Sequence, residues 1–190
     1  MGGMPKISAS RILKGLALVA VIGAGIWLGR LVEQDDVAQA FVGDLGLLGI
    51  ALVAYGSGFN LIVPIPAATF VPAFVASGFP FWTVIIVMTF GLTAADMTAY
   101  LIGRAGKHVA RKQPAGLLKR IDDYQRTHPR GRWVVLFLFA AFFPLPNEVL
   151  VLPMGYLGAR ARDIVLPVFF GNLVFNSIAS GGIFAVNALL

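Results

Sequence analysis

Two acidic residues stand inside long apolar stretches of this sequence, and they are its first candidates for chemistry. Glu148 follows Asn147 shortly after a proline, and Asp96 lies in a stretch that ends at Arg104. A charge near the centre of a bilayer costs several kcal/mol unless it is paired, hydrated or protonated, so such residues are functional candidates by default. We interpret Glu148 as functional. For Asp96 two interpretations stay open, a functional role and a hydrogen bond to nearby open backbone.

Paired prolines interrupt the apolar stretches at two places, Pro64 with Pro66 and Pro144 with Pro146. Each proline removes a backbone donor and clashes with the preceding turn of a helix. The freed backbone groups are costly unless they are buried in protein or face a wet cleft, so we predict a translocation cleft shaped by these four residues. The side chains predicted to line or control it are Glu148, Asn147, Asp96 and Asn176. Other polar residues either line the same cleft or join helices: Asn60, Thr69, Thr93 and Asn172.

The two halves of the chain resemble each other. An offset of 80 residues places Pro64 on Pro144, Pro66 on Pro146, Gly78 on Gly158, Gly91 on Gly171 and Asp96 on Asn176. Each unit contains an apolar arm, a proline break, a short second arm and a full-length helix. Paired broken segments in inverted repeats are typical of transporters, whose sites form at mid-membrane. The alternative is that the prolines only kink ordinary helices.

The elements that must position these residues are apolar enough to require lipid. Hydrophobic residues make up 58% of the chain and charged residues 13%, outside the usual range of soluble domains. No charged side chain occurs in the 51 residues from Leu45 to Ala95 or in the 27 from Ile164 to Leu190. About 20 apolar residues suffice to span a bilayer. The sequence therefore predicts an all-α polytopic membrane protein, an inverted repeat with two opposed re-entrant helical hairpins plus transmembrane helices.

The basic residues set the orientation of this predicted fold. Of the 15 Lys and Arg residues, nine lie between Arg104 and Arg132, and most others precede the first apolar run or follow the second hairpin. The positive-inside rule explains that distribution better than a nucleic-acid surface does, so we expect no nucleic-acid partner. The prediction is a multi-pass protein of the plasma (inner) membrane, with its N-terminus in the cytoplasm and its C-terminus outside.

The predicted segments form a single membrane domain over residues 1–190. They are a transmembrane helix at 11–32, re-entrant hairpin 1 at 45–79, a transmembrane helix at 81–104, a cytoplasmic basic loop with an interfacial helix at 105–132, re-entrant hairpin 2 at 133–159 and a transmembrane helix at 164–190. Charged residues separate the first apolar run from Ala38-Gln39-Ala40, which favours an uncleaved span over a signal peptide. Two full spans in place of either hairpin would leave the orientation unchanged.

The sequence contains no pattern that indicates a metal site, a reactive thiol or a covalent catalytic mechanism. His108 and His128 have no cluster of partner ligands, and there is no cysteine. No pair of nucleophile and base stands out. We therefore predict neither an enzyme nor a cofactor nor a metal site.

Residues 45–185 resemble the DedA family, also called the VTT or SNARE-associated Golgi family. The residues that carry the resemblance are the first hairpin with Gly78, the segment with Gly91, Ala95-Asp96, Tyr100, Gly103-Arg104 and Gly106, and the segment Phe143-Pro144-Leu145-Pro146-Asn147. Ala95 replaces a family glycine. Ala141 and Asn147 stand where bacterial members carry arginines, so the resemblance does not extend to an intramembrane arginine that binds phosphate.

The resemblance implies two opposed re-entrant hairpins and movement of lipids across the bilayer. On this hypothesis the protein is a lipid translocase or scramblase for phospholipid or polyprenyl-phosphate headgroups, and Arg104 holds headgroup phosphate at the inner face. Its partners are membrane lipids, and a homo-oligomer stays open. The alternatives are a proton-coupled transporter of a small solute or ion, motivated by the two carboxylates, and a membrane assembly or scaffold factor.

Overall fold

The computed structural model describes residues 9–59, 66–110, 116–128, 131–143 and 145–189. Every regular element within these ranges is helical, which confirms the all-α part of the predicted fold class. Pro64, Pro144 and Asn60 lie outside the described residues. Two of the four predicted hairpin prolines, Pro66 and Pro146, can therefore be located.

The helices follow one another with short connections. They are α1 (Ala9–Gln34), α2 (Asp36–Asp44), α3 (Gly46–Ser57), α4 (Val71–Ala76, preceded by a 3-10 turn at Ala67–Phe70), α5 (Phe81–Ala110), α6 (Leu117–Thr127), α7 (Gly131–Phe142), α8 (Glu148–Leu157) and α9 (Arg162–Asn187). The paired-proline regions thus fall between α3 and α4 and between α7 and α8.

Within the described ranges, two helices are long and apolar enough to cross a membrane, Phe81–Gly106 of α5 and the whole of α9. Each has 26 residues, or about 39 Å of helix, where the hydrocarbon core is about 30 Å thick. Together α2 and α3 would make a third span, although they are bent by 86° at the break between them. These apolar helices are compatible with the predicted membrane protein.

Short apolar helices flank the second paired-proline region. α7 has 12 residues and α8 has 10, so each is about 15–18 Å long, roughly half the thickness of the hydrocarbon core of a bilayer. Proline disfavours the continuation of a helix, because it lacks the amide donor and its ring meets the preceding turn, although α8 itself contains Pro153. α8 begins directly after Pro146 and Asn147.

Two turns at the 80-residue offset have the same backbone form. Gly78 ends α4 with φ of 92° and Gly158 ends α8 with φ of 83°, both in the left-handed region that glycine occupies without strain. In each turn the residue after the glycine donates its amide to the carbonyl five residues earlier, at 3.2 Å after Gly78 and 3.0 Å after Gly158. Both turns close their helix in the manner of a Schellman motif.

Two apolar clusters pack on α5, and the polar residue Asp96 lies between them. The first contains Met88 and Leu92 with residues of α3 and α4, and the second contains Tyr100 with Val151 and other residues of α7, α8 and α9. Asp96 lies between the two clusters along α5 and is 3% exposed. The long helix therefore carries its only buried carboxyl group, among its described side chains, between the two halves of the core.

Helix α5 packs very closely against α8 through two glycines. A Cβ on Gly103 would overlap the carbonyl oxygen of Leu152, and a Cβ on Gly155 would overlap the carbonyl oxygen of Tyr100. Gly106 lies one turn further along α5, where the nearest atom would be an ordinary 3.9 Å away. The contact thus depends on glycine at Gly103 and not at Gly106.

We expect Gly103→Ala to lower the melting temperature by about 2–8 °C, whereas Gly106→Ala leaves it unchanged or slightly raised. Alanine in a helix is favoured over glycine by about 1 kcal/mol, but the overlap with the Leu152 backbone carbonyl costs about 2–3 kcal/mol and forces α5 and α8 apart, which leaves a net loss of about 1–2 kcal/mol. Thermal unfolding followed by circular dichroism in detergent measures both variants. Equal melting temperatures for Gly103→Ala and Gly106→Ala would show that α5 and α8 do not approach each other closely at Gly103.

Candidate functional site

The described parts of both paired-proline regions line one cavity. It has a volume of about 200 Å³ and lies among the end of α3, the start of the turn before α4, α5, the end of α7 and α9. Pro66 comes from the first break and Pro146 from the second. We call it the central cavity. Its other lining residues are Gly58, Ala67, Leu92, Asp96, Ala140, Phe143, Leu145, Asn147, Asn172, Phe175 and Asn176.

A closed network of three polar side chains forms one wall of the central cavity. Asn147 donates to the Asp96 carboxyl group at 3.2 Å and to the Asn172 side-chain oxygen at 2.9 Å, and Asn172 donates to the same Asp96 oxygen at 2.8 Å. Asn176 donates to the Asn172 backbone carbonyl at 2.7 Å. The network joins α5 and α9 to the residue before α8, so it holds the second break against the two long helices.

The side chains of this network are buried, so their hydrogen bonds are needed for stability. Asp96, Asn172 and Asn176 are all buried, at 3%, 5% and 1% exposure. A buried polar group is stable only when its hydrogen bonds are made, and two amide donors on one carboxyl oxygen supply much of what water would otherwise provide. Asp96 accepts hydrogen bonds from Asn147 of the second break and from Asn172 of α9, whereas one of its open interpretations was a bond to open backbone of the first break.

Glu148 is the first residue of α8 and lies directly behind the cavity wall. It is 4% exposed, and neither carboxyl oxygen has a hydrogen-bond partner among the described residues. Its charge interacts with that of Asp96. The helix N-terminus favours a negative charge, but a buried carboxyl group without any partner still calls for an explanation. Glu148 is not among the residues that line the central cavity.

Two threonines named by the sequence are buried but lie outside the cavity lining. The hydroxyl oxygens of Thr69 and Thr93 have no partner within the described ranges, and neither residue lines the central cavity. Ser180, one turn beyond Asn176 on α9, is in the same situation. These hydroxyls pack between helices, whereas Asn172 and Asn176 line the cavity.

Arg104 lies away from the central cavity. It is eight residues beyond Asp96 on α5, about 12 Å along the helix. Its guanidinium donates to the Tyr100 hydroxyl at 2.8 Å, and that hydroxyl donates to the Ala159 carbonyl at 2.8 Å. Arg104 is otherwise exposed, so it stands where α5 meets the turn after α8 and remains accessible to a ligand at that end.

No protein-family model, no curated protein and no solved structure matches this chain. What the central cavity can bind is therefore inferred from its own residues. Amide groups and one carboxyl group can donate and accept hydrogen bonds, and apolar side chains form the remaining walls. Within the part of the chain that the structure describes, no group of three or more histidine or acidic residues could hold a metal ion.

The structure brings together five of the predicted site residues around the central cavity: Asp96, Asn147, Asn176, Pro66 and Pro146. Glu148 follows Asn147 directly but does not line the cavity, and Arg104 lies away from the cavity. Asn172 is the residue that the sequence left undecided, although it bonds both Asp96 and Asn147. Asn172 lies four residues before the predicted cleft residue Asn176, and residues at that spacing share a helix face. This spacing could have predicted that Asn172 lines the cleft as well.

Proposed function

We propose that this protein moves lipid headgroups across the membrane through the central cavity, as a translocase or scramblase. The proposal depends on one observation: Pro66 and Pro146, one from each paired-proline region, line the same cavity as the network of Asp96, Asn147 and Asn172. A headgroup that leaves water must replace its hydration shell, and buried amide and carboxyl groups can supply part of that replacement. No covalent step is required.

The composition of the cavity walls supports a substrate that is polar at one end and apolar at the other. Phe143 and Leu145 line the cavity and are each 54% exposed, although both are large and apolar. On the outer surface of a membrane protein such side chains contact acyl chains. A lipid can therefore keep its acyl chains in the bilayer beside Phe143 and Leu145 while its headgroup contacts the network.

The same cavity supports the finer architecture that we propose, an inverted repeat with two opposed re-entrant hairpins. The apolar helix Ala67–Ala76, formed by the 3-10 turn and α4, and α8 each have 10 residues, too few to cross a bilayer alone. Each follows a paired-proline region and ends at a glycine turn of the same form. Of the motifs that resemble the DedA family, Gly78 lies at the first of these turns, the Gly-Asp-Tyr-Arg segment lies on α5 and Pro146-Asn147 directly precedes α8, and that likeness supports the proposal of lipid movement.

The proposed setting is the plasma (inner) membrane, with the basic segment around α6 on the cytoplasmic side. Positively charged residues cluster in cytoplasmic loops, and nine of the 15 lie between Arg104 and Arg132. Arg104 would then hold headgroup phosphate at the inner face. Membrane lipids are the proposed partners, and a homo-oligomer is compatible with this arrangement.

Reconstitution tests the proposed function. Purified protein is placed in vesicles that contain a phospholipid with a fluorescent headgroup, and a membrane-impermeant reductant is added from outside. Without lipid movement about half of the fluorescence is protected, because the inner leaflet is inaccessible. We expect the protected fraction to fall well below half. Protection equal to that of protein-free vesicles, for phospholipids and polyprenyl phosphates alike, would rule the proposal out.

A second candidate, a proton-coupled transporter of a small solute or ion, is favoured by one observation. Glu148 is buried without a partner in the described structure and interacts electrically with Asp96, an arrangement that suits a carrier of protons. A coupled carrier should lose the pH dependence of its transport in Glu148→Gln. A passive scramblase should keep most of its activity in this variant.

A further inference from the structure

A second cavity of about 230 Å³ lies where the amphipathic helix α6 meets α7 and α8. Its walls are apolar and include Val135 and Leu136 from α7 and Leu150 and Met154 from α8. Leu136 and Met154 are buried, whereas Val135 is 43% exposed and marks the open side. We call this cavity the α6 slot. It shares no lining residue with the central cavity.

Two arginines line the α6 slot together with these apolar side chains. Arg120 comes from α6 and is exposed, and Arg132 comes from the first turn of α7. Arg132 forms an ion pair with Asp163, but its Nε is buried and has no partner among the described residues. A buried Nε cannot reach a ligand, so Arg132 contributes the carbon atoms of its side chain to the slot. The surface inside the slot is apolar, and the positive charge beside it is that of the exposed Arg120.

The surroundings of the α6 slot indicate that it opens toward lipid. Trp133 and Val134 follow Arg132 and are exposed, at 37% and 56%, beside the half-exposed Val135. Tryptophan is enriched where a membrane protein crosses from hydrocarbon to headgroups, and arginine side chains reach phosphates at the same level. This end of α7 therefore has the composition of a membrane interface.

We infer that the α6 slot binds an anionic phospholipid, with one acyl chain along Leu136, Leu150 and Met154 and its phosphate at the exposed Arg120. Basic pockets between helices at the membrane surface bind anionic headgroups through charge, and an apolar wall holds the chain by excluding water. This site goes beyond the proposed function, because it would hold a lipid whether or not the protein moves lipids. The zwitterionic phosphatidylcholine, which carries no net charge, should bind more weakly.

Photolabelling tests the inference on the full chain in phosphatidylcholine nanodiscs. The probe is phosphatidylglycerol with a diazirine in its acyl chain, and phosphatidylcholine with the same chain is the reference. We expect phosphatidylglycerol to label peptides that contain Leu136, Leu150 or Met154 at least about 5-fold more strongly than the reference does. Equal labelling by the two lipids would overturn the proposal of an anionic site.

Matched variants locate the lipid. Arg120→Gln should reduce labelling by phosphatidylglycerol about 5-fold, whereas Lys119→Gln, which removes the same charge from the neighbouring exposed position outside the slot, should not. Leu150→Trp fills the slot and should abolish labelling. Val135→Trp blocks the mouth at a half-exposed position that tolerates a large side chain, so it gives the same test if Leu150→Trp fails to fold. Equal losses in Arg120→Gln and Lys119→Gln, or unchanged labelling in Val135→Trp, would contradict the site.

Discussion

Replacing Asn172 with leucine is expected to lower the rate of phospholipid movement in reconstituted vesicles about 10- to 100-fold. Leucine is branched at the same carbon as asparagine but is larger, and it removes the acceptor of Asn147 and one of the two amide donors of Asp96. Losing a buried hydrogen-bonding partner costs about 1.5–3 kcal/mol, and a barrier raised by that amount slows a step by the stated factor. The leucine also makes one wall of the central cavity apolar, which raises the desolvation barrier for a headgroup.

The same substitution at the other end of α9 provides the control. Asn187 contacts Arg30 at 3.3 Å in an exposed position and does not line the central cavity. Asn187→Leu should therefore leave the rate within about 3-fold of wild type, since an exposed hydrogen bond contributes little. Both variants are compared at equal protein density, after thermal unfolding shows that each is folded. Equal rates for Asn172→Leu and Asn187→Leu would show that the polar network has no part in lipid movement.

Replacing Glu148 with leucine is expected to raise the melting temperature by about 3–8 °C. The wild-type carboxyl group is 4% exposed and has no hydrogen-bond partner in the described part of the chain. A buried polar group without a partner costs about 1–3 kcal/mol, and leucine of similar volume removes that cost. Stabilising substitutions are common in natural proteins, so a gain in stability would show that the buried carboxyl group is costly, and the transport assay with Glu148→Gln decides whether that group has a function.

Removing an exposed carboxyl group serves as the control for Glu148. Asp44 lies at the end of α2 and is exposed. Asp44→Leu should shift the melting temperature by less than about 2 °C, because surface substitutions away from special features have small effects. A lower melting temperature in Glu148→Leu would mean that the carboxyl group makes a stabilising contact. Transport by Glu148→Gln, measured across a range of pH, then separates the passive scramblase from the coupled carrier.

The helical membrane architecture could be predicted because it depends on features that act locally. Long uncharged stretches require lipid or a protein core, and prolines disfavour the helix that precedes them, although Pro153 and Pro167 lie inside α8 and α9. The long helices α5 and α9 fall on such stretches, and the described residues of both proline pairs lie between helices. Gly78 and Gly158, which the repeat aligned, have similar positive φ. In each case the residue type itself favours the observed backbone conformation, and contacts with distant parts of the chain are not needed to predict it.

Other features could not be predicted because they depend on contacts between distant segments. Asn172 and Asp96 are 76 residues apart in sequence, and only the packing of α9 on α5 places an amide donor on the carboxyl group. Glu148 was expected to line or control the cleft; it is the first residue of α8, is buried and is not among the residues that line the central cavity. The bend of 86° between α2 and α3 occurs at Gly46, whose φ of 60° the apolar pattern does not reveal.

A lipid headgroup is proposed to enter the cavity between the two breaks at the level of Asp96. Photolabelling with a phospholipid that carries a diazirine on its headgroup, followed by assignment of the labelled residues through peptide fragmentation, tests this proposal. We predict labelling at Leu145 and Asn172, with none at Phe90 or Phe170, which are exposed on α5 and α9 outside the central cavity. Labelling confined to the ends of the helices, or equally strong at Phe90 and Phe170, would contradict passage of headgroups through the central cavity.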